Sequence, residues 1–152
     1  MSLDYNFRID TALTPERVLA VACDALGLKQ PDASRPGDDA AIPGPGFLFA
    51  AGPVARESQT LMKEELGISP SVDLQFWVDA EQRHTAITVL LRGVLTILRQ
   101  ESGDAVLLFG GENVLLLRQA GNLRLDSSTG IWTPERLALA HMPYVTQPLP
   151  NL

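Results

Sequence analysis

Two histidines, one cysteine and a few neighbouring carboxylates are the side chains of this chain most suited to chemistry. His84 and His141 lie far apart, and neither sits in a spacing such as His-Glu-x-x-His that would hold a metal. Both read as structural or surface residues. Cys23 could act as a nucleophile only as a thiolate beside a base. It falls instead on the apolar stripe of a helix, where a thiol is inert. Asp38-Asp39, Glu64-Glu65 and the close pair Asp79 and Glu81 could do acid/base work only in a cleft that separates their pKa values. Asp38-Asp39 lies in a loop rich in Pro and Gly. Asp79 and Glu81 flank a helix start, where negative charge favours the helix dipole. Gly44-Pro45-Gly46 and Gly110-Gly111 match no phosphate-cradling motif, and the chain has neither Gly-Lys-Ser/Thr nor Gly-x-Ser-x-Gly. The expectation is a protein that is not an enzyme and needs no cofactor or metal.

Trp77 is the oddest residue. It shares one side of a strand with Asp73, Gln75 and Asp79, all polar. An aromatic there either covers a neighbouring helix or stands in an exposed interface, where tryptophan is a frequent hot spot. Trp132 precedes a Thr-Pro helix start and reads as a packing staple.

The elements that position these residues follow from periodicity. Leu3, Tyr5, Phe7 and Ile9 alternate with polar residues and mark a half-buried strand. Thr14-Pro15 opens a helix of about three turns that Gly27 stops. Residues 29–46 hold four Pro and three Gly and read as a loop. Phe47 to Ala51 is a short strand, and Gln59 to Leu66 a short helix ending at Gly67. Val72, Leu74, Phe76 and Val78 alternate with the Trp77 side in a second one-sided strand. From Glu81 to Gln100, Ile87, Leu90, Leu91, Val94, Ile97 and Leu98 define one broad helical face. Such a helix is about 30 Å long and spans the domain.

Ala105 to Phe109, Val114 to Leu117 and Leu123 to Leu125 then form a meander. The first two of these strands are apolar on both sides. Either both faces are covered, or one serves an interface, which permits a homodimer. Thr133-Pro134-Glu135-Arg136 repeats Thr14-Pro15-Glu16-Arg17 and starts a short helix. The tail from about residue 143 is Pro-rich and extended.

The fold class that results is α+β. It is a two-layer sandwich with a mostly antiparallel sheet and one long and one medium helix on one face. The order is a ferredoxin-like-related βαββα with a C-terminal meander. Its 152 residues make one domain, large enough to bury about 70% of the extended-chain surface. No apolar run approaches the ~18 residues of a membrane helix. Ten Arg and two Lys against eighteen acidic residues give a net charge of −6. That repels phosphate backbones and anionic membranes and suits a basic protein partner, although it also serves simple solubility. One cysteine excludes an internal disulfide and fits a reducing, cytoplasmic setting. Met1 to Arg8 has no signal-peptide pattern.

The run Glu65-Leu-Gly-Ile-Ser-Pro-Ser-Val-Asp-Leu-Gln-Phe, the long helix, and Gly103-Asp-Ala-Val-Leu-Leu-Phe-Gly-Gly-Glu-Asn-Val-Leu-Leu-Leu-Arg carry a resemblance. With Leu3-Asp-Tyr and Trp132-Thr-Pro-Glu-Arg-Leu, they resemble the small bacterial immunity proteins associated with swarming-inhibition (Sit) toxins. The resemblance implies a cytoplasmic protein that neutralises a cognate toxin by binding it. The alternative is a non-catalytic ligand-binding or regulatory α+β module, which requires a concave apolar pocket between the long helix and the sheet. The candidate partner-binding residues are Trp77, Asp73, Asp79 and the loop residues Asp38 and Asp39.

Overall fold

The computed structural model describes residues 2–29 and 41–152. Asp38 and Asp39 lie outside the described residues. The expected alternations become strands. β1 (Ser2–Ile9) and β4 (Val72–Asp79) pair antiparallel over their whole length. Each buries its apolar set on the same face, because side chains two residues apart point to the same side of a sheet.

α1 (Pro15–Leu26) begins at Thr14, whose Oγ1 accepts the N–H of Arg17 at 3.3 Å, and ends at Gly27 in the left-handed region. α3 (Arg83–Gln100) is the long helix, entered through a short 3-10 turn at Ala80–Gln82. α1 and α3 lie against each other on one face of the sheet. They approach tightly at Gly93, where a Cβ would stand 2.7 Å from Leu26 Cδ2.

Among the described residues the sheet has eight strands, in the order β2-β3-β4-β1-β5-β6-β7-β8. β3 (Phe47–Pro53) and β5 (Ala105–Phe109) complete the centre. β4 lies between β1 and β3 and is antiparallel to both; β1 lies between β4 and β5 and is antiparallel to both. The result is two interlocked split βαβ units, β1-α1-β3 and β4-α3-β5, which is the ferredoxin-like core the sequence order suggests. β6 (Asn113–Gln119) and β7 (Asn122–Asp126) extend it as the expected meander.

Three boundaries differ from the sequence reading. Residues at the end of the 29–46 loop form β2 (Ile42–Gly44), which hydrogen-bonds to β3 around a turn at Gly46. The Pro and Gly content that suggested a loop is tolerated here because β2 is an edge strand. α2 (Arg56–Leu66) starts a turn before Gln59. The extended tail contains β8 (Val145–Gln147), paired parallel to β7. Its anchor is Asp126, whose carboxylate accepts the Leu149 N–H at 2.9 Å and the Ser128 hydroxyl at 2.8 Å.

The main core lies between the helices and the sheet, with Phe7, Phe49, Phe76, Leu90, Leu91 and Leu107 at or near full burial. A second, smaller core lies on the reverse face. There Met62, Leu66 and Ile68 from α2 and its exit, with Leu149 of the tail, cover Val106, Leu108, Val114 and Leu117. The double-sided apolar strands β5 and β6 are therefore covered on both faces from within the chain.

Candidate functional site

The reverse face is covered over β5 and β6. Over β3, β4 and β1 its side chains keep partial or full exposure. Register fixes what stands there. Gly52, Asp73 and Arg8 form one row across these strands, Ala50, Gln75 and Asn6 the next, and Leu48, Trp77 and Asp4 the third. The third row continues to Pro43 on β2. Pro43 and Asp4 are exposed, Leu48 is 46% exposed, and Trp77 is partly exposed. Neither core includes Trp77. A short apolar ridge, Pro43-Leu48-Trp77, thus runs across the face and ends at a carboxylate.

The structure brings Asp73, Trp77 and Asp79 together on this face, each at an alternate position of β4. Their electrostatic situations differ. Arg8 Nε donates to Asp73 Oδ2 at 3.3 Å, and Asn6 Nδ2 donates to Oδ1 at 3.1 Å. Asp73 is thus engaged within the sheet by a cation and an amide donor. Asp79 caps the 3-10 turn before α3, accepting from the N–H of Glu81 and from the Gln82 amide, each at 3.0 Å. Those two hydrogen bonds hold its carboxyl below the usual carboxylate range, so it is a fixed negative charge at neutral pH. Asp4 has no side-chain partner among the described residues, and the sequence reading did not select it. Its position beside Trp77 depends on the β1–β4 register, which no local pattern reveals.

Cys23 is fully buried, and burial with Asp24 beside it pushes the thiol up. Trp132 is buried, with its indole N–H donating to the Leu115 carbonyl at 2.8 Å. His84 lies in the first turn of α3 and His141 near the chain's end, both exposed. Among the described residues no three His, Cys, Asp or Glu side chains gather as metal ligands would, and no helix is long and apolar enough to cross a membrane.

Fold and face together define an α+β protein with an exposed sheet surface in which an apolar ridge is edged by carboxylates. The chain matches the SitI3-like family over residues 3–136 and belongs to it. This agrees with the Sit immunity resemblance carried by the Glu65–Phe76 and Gly103–Arg118 runs. No curated protein and no solved structure gives a significant match.

Proposed function

We propose that this chain is a bacterial immunity protein that binds a cognate protein toxin in the cytoplasm and blocks it by occupying its surface, without catalysis. Membership of the SitI3-like family over residues 3–136 carries the reading. The docking site we assign is the β3-β4-β1 face, with Trp77 and Leu48 as the apolar centre and Asp4 and Asp79 at its edge. An aromatic centre with a charged rim is the arrangement that concentrates binding energy and steers encounter. The net charge of −6 suits a basic toxin surface.

The test is co-expression of the tagged chain with the C-terminal domain of the protein encoded beside it. A stoichiometric complex and restored growth are expected. The double variant Leu48→Asp, Trp77→Ala should lose both while remaining folded by circular dichroism. A complex that survives the double variant would place the toxin elsewhere on the chain. Absence of both complex and rescue with the unaltered chain would remove the immunity reading for that toxin.

A further inference from the structure

On the helix side of the sheet, opposite the Trp77 face, a cavity of about 650 Å³ opens between the first turn of α3 and the ends of β1, β5 and β6. Its remaining wall is the loop before α4 (Pro134–Leu137). The volume lies in the range of small-ligand sites, about 300–1,000 Å³. Leu3, Ile87, Phe109 and Leu115 supply apolar walls, and Arg83, Arg136 and Tyr5 supply the polar end. None of the described lining residues is acidic.

Three observations converge there. Arg136 is only 6% exposed, yet its guanidinium has no carboxylate partner among the described residues. Its three hydrogen bonds go to neutral acceptors: Thr88 Oγ1 at 3.0 Å, the Ile131 carbonyl at 2.9 Å and the His84 carbonyl at 3.0 Å. A guanidinium has five N–H groups, so two remain. A buried cation without a counterion is costly, and an anion entering the cavity would supply one. Tyr5 is 5% exposed, packs its ring on Phe109 at 4.9 Å, and its hydroxyl has no hydrogen-bond partner among the described residues. Burial raises the Tyr5 pKa while the charges of Arg136 and Arg83 oppose that rise, so the phenol stays protonated and able to donate at neutral pH in the cavity that both cations line. Arg83, on the first turn of α3, is exposed and holds no ion pair among the described residues.

We propose that this cavity binds a small amphipathic carboxylate. The carboxylate is held by Arg136, Arg83 and the Tyr5 hydroxyl, and its apolar stem lies against Ile87, Phe109 and Leu115. The apolar walls distinguish such a ligand from a bare phosphate, and charge-assisted donors distinguish it from a neutral molecule. The site is independent of the toxin-docking reading, since the two lie on opposite sides of β1.

The experiment is calorimetric titration of the full chain with 3-phenylpropanoate and with octanoate. Their primary amides and inorganic phosphate serve as controls. At least one acid should bind, with its amide weaker by about tenfold or more. Tyr5→Phe and Arg83→Gln, which retain the ring and the exposed stem, should each weaken the acid severalfold. Both variants should keep the parent circular dichroism spectrum. The proposal is overturned if neither acid binds at millimolar concentration or if amide and acid bind equally. It is also overturned if both variants bind as the parent does, or if phosphate binds and the carboxylates do not.

Discussion

Leu48 and Trp77 stand directly opposite each other across the β3–β4 pair, on the face that no helix of the main core covers. Both lie at non-core positions of strands whose alternate residues, Phe47, Phe49, Phe76 and Val78, are buried. A large apolar pair on the polar side of a sheet contributes only about 0.2–1 kcal/mol to folding. Trp77→Ala should therefore leave the thermal midpoint nearly unchanged. Toxin affinity should fall by at least about 2 kcal/mol, close to thirtyfold, if the ridge is the interface centre. Titration calorimetry beside a thermal melt separates the two. A large loss of stability with unchanged affinity would make Trp77 a packing residue.

Charge on the same face leads to a kinetic expectation. Asp73 is engaged by Arg8 and Asn6, whereas Asp4 has no side-chain partner among the described residues. Unpaired rim charges change association rates more than dissociation rates. Asp4→Lys should slow association with a basic toxin by about tenfold at low salt, and the difference should shrink as ionic strength rises. Asp73→Asn should change the rate far less. Stopped-flow or surface-resonance kinetics at two salt concentrations would decide, and equal effects of the two substitutions would contradict the assignment.

Arg118 holds the connection between α3 and β5. It is 6% exposed and donates to the Leu98 carbonyl at 2.6 Å, to the Gly103 carbonyl at 2.7 and 2.9 Å, and to the Glu101 carbonyl. Arg118→Ala strands three carbonyls and should cost about 3 kcal/mol, read as a lower urea midpoint. Gly103 belongs to the same connection, because a Cβ there would meet the Asp10 carbonyl oxygen at 1.8 Å. Gly103→Ala should destabilise by a comparable amount, since the obstacle is backbone.

These two residues also mark where sequence reading ends. β1, β4, α1 and α3 were legible because each has one buried face, and burial imposes period two or period 3.6 on the residue types. Thr14-Pro15 and Thr133-Pro134 both read correctly as helix starts, since each Thr accepts the N–H three residues on. Arg118 and Arg136 did not stand out. A buried arginine satisfied by carbonyls looks in sequence like any surface cation, and its acceptors come from residues up to 52 positions away. The same holds for the candidate face. Asp73, Trp77 and Asp79 share a strand and could be grouped from alternation alone. Leu48, Pro43 and Asp4 join them only through pairing register. β8 was hidden because parallel pairing of a Pro-rich tail leaves no local pattern.

Asp126 gives the protein a stability term that depends on pH. It is 1% exposed, and burial alone would raise its pKa. Hydrogen bonds from the Leu149 N–H, the Ser128 hydroxyl and Thr129 overcome that and hold the carboxyl below the usual range. A folded pKa below the unfolded value, about 3.9, means the stabilisation is present in full above that value. It is lost as pH falls through the depressed folded pKa. Asp79 acts in the same direction. Acid should therefore weaken the tail attachment, freeing Leu149 from the second core. Asp126→Asn should lower stability at pH 7 and flatten its decline below about pH 4. Hydrogen exchange at the Leu149 amide should rise in that variant at neutral pH. An unchanged exchange rate there would show that β8 holds the tail without the carboxylate.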